Sequence, residues 1–102
     1  MRIIAASRIR EYAVQHSRAS APLLRWLDIT RIARWNTIAD VRSSAPSADP
    51  VVVSSGKTVI VFNIGGNKFR LIAAVHYSTQ IVYVLRMMTH AEYSKNRWKK
   101  EL

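Results

Sequence analysis

Val59-Ile60-Val61-Phe62-Asn63-Ile64-Gly65-Gly66-Asn67-Lys68-Phe69-Arg70-Leu71-Ile72 reads as two β-strands joined at a glycine pair. Large apolar residues recur at every second position on both sides of the glycines, the period of a strand with one buried face. A two-residue turn at Gly65-Gly66 suits a hairpin because both glycines accept positive φ. It predicts Ile64 opposite Asn67, Phe62 opposite Phe69 and Ile60 opposite Leu71. Ile60, Phe62, Ile64, Phe69, Leu71, Ala73 and Val75 then share a core face, while Asn63, Lys68, Arg70 and His76 share an exposed one.

Downstream, residues 77–80 form a loop and residues 81–88 a third strand, whose register leaves the face of Arg86 open. Thr89-His90-Ala91-Glu92 fits a capping box, in which Thr89 accepts from a backbone amide and Glu92 reaches back to the cap. Glu92 therefore reads as a helix-starting residue rather than a general base. The tail Lys95-Asn96-Arg97-Trp98-Lys99-Lys100 is either frayed or a stacking, charge-neutralising arm for nucleic acid.

Upstream the pattern is helical. Ser7 is placed to cap a helix to about residue 18, with Ile9, Tyr12, Ala13 and His16 on one face. Ser20 caps a second helix with Pro22 in its first turn, and Leu23, Trp26, Leu27, Thr30 and Ala33 in one stripe. His16 and Trp26 read as packing residues. Thr37 with Asp40 starts a short third helix ending near Ser44, and Ala45-Pro46-Ser47-Ala48-Asp49-Pro50 reads as a loop.

The 102 residues make a single domain, and 49% hydrophobic residues suffice for a packed interior. Sixteen Lys and Arg against six Asp and Glu give a net charge of +10. Eight basic residues and three acids fall in residues 1–45 and the same numbers in 46–102, so the excess is not a tail effect. Such a surface favours nucleic acid or another acidic partner. The chain has no cysteine, which excludes disulfides and thiolate metal sites, and His16, His76 and His90 lack a metal-ligand spacing. No metal or cofactor is expected. The opening apolar run is too short for a signal peptide and no stretch is long enough to span a membrane. Residues 1–27 are Arg-rich and acid-poor like a transit peptide, but they carry the helices a small domain needs, so a cytoplasmic protein is the simplest reading.

His90 and Tyr93 lie three apart, on one side of a helix start where free amides attract phosphate. Cleaving RNA without a metal requires a base for the 2′-hydroxyl, cations for the phosphorane and an acid for the 5′-oxygen. Lys68, Arg70, His90 and Tyr93 offer those groups, and the Arg70 fork suits two phosphate oxygens. A neutral His90 can accept a proton. Asn63 and Asn67 read as satisfying the hairpin backbone.

At Val61-Phe62-Asn63-Ile64-Gly65-Gly66-Asn67-Lys68-Phe69-Arg70-Leu71 and Thr89-His90-Ala91-Glu92-Tyr93 the chain resembles the HigB toxins, within the RelE-like group. Trp35, Ala39-Asp40-Val41 and Pro46-Ser47-Ala48-Asp49 extend the resemblance over roughly residues 1–95. It implies an α+β fold with two or three N-terminal helices on a small, mainly antiparallel sheet that residues 2–5 join as a strand. It also implies cleavage of mRNA, usually on the translating ribosome, and neutralisation by a HigA-type helix-turn-helix antitoxin. The resemblance implies contact with operator DNA only through the complex with that antitoxin. Arg70, His90 and Tyr93 are then the catalytic candidates, and Lys68, Arg86, Lys95, Arg97 and Lys99 the RNA-binding ones. The competing reading is a non-catalytic basic module that binds RNA or the ribosome.

Overall fold

A computed structural model describes residues 1–102. Strands β1 (Arg2–Ile4), β2 (Asp49–Val52), β3 (Thr58–Ile64), β4 (Phe69–His76) and β5 (Ile81–Thr89) form one sheet in the order β1-β5-β4-β3-β2. All neighbours are antiparallel except β1, which runs parallel to β5. Helices α1 (Ala6–Gln15) and α2 (Ser17–Ile32) cover one face, with α3 (Ile38–Ser44) leading into β2. The short α4 (His90–Ser94) and α5 (Arg97–Glu101) follow β5. This is the α+β arrangement, helices on a mainly antiparallel sheet, that the sequence predicts.

The core lies where the strand alternation puts it. Ile60, Phe62, Ile64, Phe69, Leu71 and Ala73 meet Ile9, Ala13, Leu23, Trp26 and Leu27 from the helices. Phe62 sits between two indoles, edge-on to Trp26 at 5.3 Å and stacked on Trp35 at 6.1 Å. Full burial of each such side chain contributes about 1.5–3 kcal/mol. Thr37 and Asp40 form a complete capping box at α3, as predicted.

Five details differ from the sequence reading. The hairpin loop has four residues, 65–68, so Phe62 faces Leu71 and Ile64 faces Phe69. A two-residue offset leaves every side chain on its predicted face, and Gly65 and Gly66 do take positive φ, 63° and 69°. The wider loop frees the Asn67 and Lys68 carbonyls from the ladder, and both are used: by Arg70 and by the amide of His90.

Neither Ser7 nor Ser20 caps a helix. His16 leaves helical geometry (φ −125°, ψ 83°), ends α1 early and begins α2, so Ser20 and Pro22 fall inside α2. The His16 ring stacks on Tyr12 at 4.1 Å, an anchorage that outweighs the serines' local preference. Asp49 and Pro50, read as loop, pair with Val61 and Ile60 at the sheet edge, a position in a sheet that tolerates proline.

The face opposite the helices is not simply exposed. Val59, Val61, Ile72 and Met88 are buried there beneath Trp98, which is 3% exposed. The basic tail is thus neither frayed nor a free stacking arm: it folds back as α5, tied by the Ser54 amide to the Lys99 carbonyl at 2.9 Å. A β-bulge between Ile72 and Ala73 leaves Leu85 without a ladder partner and sets Arg86 opposite Ile72. Arg86 thereby joins the α5 side rather than the helical core, and Arg8 donates to the Leu85 carbonyl at 3.2 Å.

Candidate active site

Arg70 is the hub of the face covered by α4 and α5. Strand β4, paired with the end of β5, holds it beside the start of α4, where it is only 6% exposed. Its Nη1 donates to the carbonyls of Asn67 (3.2 Å) and Phe69 (3.1 Å). Its Nη2 donates to Asn67 Oδ1 (2.5 Å) and meets His90 Nδ1 at 3.2 Å. The guanidinium also lies over the Tyr93 ring, 5.2 Å from its centroid. No carboxylate pairs with it, as the ion pairs are Arg31–Asp28 and Arg86–Glu101. Buried charges are ordinarily neutralised, whereas this one is met only by neutral oxygens, an imidazole nitrogen and an aromatic ring.

The arginine contact also assigns the histidine. Arginine has only donors, so Nδ1 of His90 must accept, and a neutral ring then carries its hydrogen on Nε2. Accepting a proton at Nδ1 would require releasing Arg70. A neutral His90 held in this contact presents its Nε2–H on an exposed ring.

Tyr93 meets two groups through its ring: the Arg70 guanidinium, and Trp98, stacked at 5.3 Å with 20° between planes. The Trp98 Nε1 donates to the Tyr93 carbonyl at 3.1 Å, and Lys99 Nζ lies 5.7 Å from the Trp98 ring. Arg70, Tyr93, Trp98 and Lys99 form a continuous column.

Glu92 is occupied as the sequence predicts: its Oε1 accepts from the Thr89 amide (3.2 Å) and Thr89 Oγ1 (3.1 Å). Lys68 is exposed in the hairpin loop, and its carbonyl accepts from the His90 amide at 2.9 Å, joining loop to α4. Arg70, His90 and Tyr93 are thus brought together, with Lys68 beside them. Three of the remaining basic candidates sit elsewhere. Arg86, Lys95 and Arg97 line a separate cleft of about 280 Å³ with Trp98 and Glu101, and Arg86 Nη1 is ion-paired to Glu101 at 3.1 Å.

Sequence reasoning missed two members of the cluster. Asn67 holds Arg70 rather than the hairpin backbone, which nothing but its spacing of three from Arg70 hints at. Trp98 backs Tyr93, and an aromatic five residues after Tyr93 in a basic run gave no local sign of burial.

The model of the HigB toxin family, described as the RelE-like toxic component of a toxin-antitoxin system, matches residues 19–96. The mRNA interferase toxin HigB of Escherichia coli K12 is 48% identical over 33 residues, which are 32% of this chain and 32% of that protein. The mRNA interferases HigB of Escherichia coli O157:H7 and Shigella flexneri match to the same extent. The match spans about a third of the length of these curated relatives.

Proposed function

This chain belongs to the HigB toxin family of RelE-like toxic components of toxin–antitoxin systems, and we propose that it is an endoribonuclease that cleaves mRNA. The observation that carries the reading is Arg70: a buried guanidinium without a counter-ion, in contact with His90 and Tyr93. A phosphodiester supplies the missing negative charge. In the reaction the ribose 2′-oxygen attacks phosphorus and the bond to the 5′-oxygen breaks, leaving a 2′,3′-cyclic phosphate and a 5′-hydroxyl. One proton leaves the 2′-hydroxyl and one reaches the 5′-oxygen, without a metal ion taking part.

Arg70 and Lys68 hold the scissile phosphate and stabilise the charge of the phosphorane. His90 donates a hydrogen bond from Nε2 to a phosphoryl oxygen, and Tyr93 contributes through its hydroxyl. Cleavage takes place on the translating ribosome, which positions the message; positioning of this kind is worth orders of magnitude in rate. A HigA-type antitoxin neutralises the activity, and operator DNA is met only through that complex.

Primer extension on a message translated in a purified system tests the reading. Discrete cuts with the wild type that vanish with Arg70→Ala are expected. Inhibition of translation without cuts would leave a non-catalytic RNA- or ribosome-binding protein in its place.

A further inference from the structure

Beside the Arg70–Tyr93 pair lies an open groove of about 570 Å³ lined by Arg42, Ser47, Asp49, Val61, Asn63 and Tyr93 among others. Its volume falls within the roughly 300–1,000 Å³ of small-ligand sites. Arg42 is anchored from below, its Nε donating to the Ala48 carbonyl at 3.1 Å, which leaves both Nη groups without a protein partner. Asp49 and Arg42 line the same groove yet make no ion pair with each other. Asn63, exposed on β3 directly opposite Arg70, makes no side-chain hydrogen bond. A guanidinium fork, a carboxylate and an amide thus stand unpartnered around one cavity next to Arg70.

We infer that this groove seats a guanine base of the RNA adjacent to the phosphate at Arg70, with Arg42 on its O6/N7 edge and Asp49 on its N1–H/N2–H edge. The inference rests on the ribonuclease reading for the identity of the strand. A carboxylate repels phosphate, so the backbone stays on the Arg70–Lys68 side and the base turns into the groove. Among the four bases, guanine alone pairs an edge of two acceptors with a neighbouring edge of two donors. Adenine offers an amino group to Asp49 but no two-acceptor edge to the fork, and cytosine offers O2 and N3 to the fork but only one donor atom to Asp49. Uracil has acceptors but no amino group. Asn63 supplies a further donor and acceptor at the groove wall.

The test uses short fluorescent oligoribonucleotides made uncleavable by a 2′-deoxy sugar at the cut position, with G, A, C or U in the neighbouring position. Anisotropy titration of the wild type is expected to give about tenfold tighter binding of the G oligonucleotide, the worth of a good edge contact. Asp49→Asn places an amide on an exposed edge strand, so a thermal melt equal to the wild type is expected. It should erase the G preference, bringing the G and A oligonucleotides to within twofold of each other. Equal binding of all four bases by the wild type, or an undiminished G preference in Asp49→Asn and Asn63→Ala alike, overturns the groove assignment. Primer extension separates the two claims. Cuts with no bias toward G overturn the groove and leave the nuclease. A G preference in binding without any cuts upholds the groove while the nuclease reading fails.

Discussion

Arg70 meets three carbonyl or amide oxygens, an imidazole nitrogen and an aromatic face. Arg70→Ala is expected to lower cleavage about 10²–10³-fold, as removal of other electrostatic stabilisers does. Arg70→Lys should recover little of it, since an ammonium cannot reproduce the planar fork. Cleavage by Arg70→Ala within tenfold of the wild type would put the site elsewhere. Tyr12 calls for a different experiment. Its hydroxyl is buried without a hydrogen-bond partner, and burial first, then the nearby charge of Glu92, push its pKa above the ordinary 10.0. Burial and Asp40 raise Tyr77 in the same way. A tyrosine raised on folding keeps its proton longer in the fold than in the unfolded chain. Its contribution is therefore intact below pH 10.0 and declines as pH rises past that value. Tyr12→Phe should add about 1 kcal/mol near neutrality by removing an unsatisfied hydroxyl. It should also soften the alkaline loss. Chemical denaturation at pH 7 and above pH 10 checks both, and a less stable variant at pH 7 would show that the hydroxyl has a partner. Arg70, His90 and Tyr93 were legible because their chemistry is carried by residue type and local spacing. Asn67 was not, because its job depends on a four-residue loop that the glycine pair alone does not dictate.

The short C-terminal helix is held by one side chain above all. Trp98 buries its ring over Val61 and Ile72, donates to the Tyr93 carbonyl and backs the Tyr93 ring. Trp98→Ala should cost about 3–5 kcal/mol and loosen Tyr93. Trp98→Phe should restore most of the stability, because a phenyl ring still stacks while losing only the indole donor. Thermal unfolding paired with cleavage assays checks this; full stability in Trp98→Ala would mean that α5 is dispensable to the fold. The face of Arg86 belongs to this level too. Strict alternation from Val82 and Val84 would have turned Arg86 into the core, and the bulge opposite Ile72 turns it out toward Glu101. A bulge has no reliable mark in a run such as Val82-Tyr83-Val84-Leu85, where apolar residues suit either face.

The charge of +10 is a property of the molecule as a whole, and it predicts salt-sensitive RNA binding. A single strand engaging about four phosphates should bind with a log–log salt slope of about −3, losing about 50-fold between 50 and 200 mM salt. Anisotropy titration at several salt concentrations measures the slope, and a value near zero would remove RNA backbone from the partners of this surface. No helix is long and apolar enough to cross a membrane. Strand faces, the helical core stripe, both capping boxes and the cationic hairpin were readable from Val59 to Tyr93 and the helical repeats, because periodicity and caps act over a few residues. Helix starts at His16, the edge strand at Pro50, the bulge, the folded-back Trp98 and the groove beside Asp49 were not. Each depends on a partner distant in the chain, and burial against that partner outweighs the local preferences that a sequence displays.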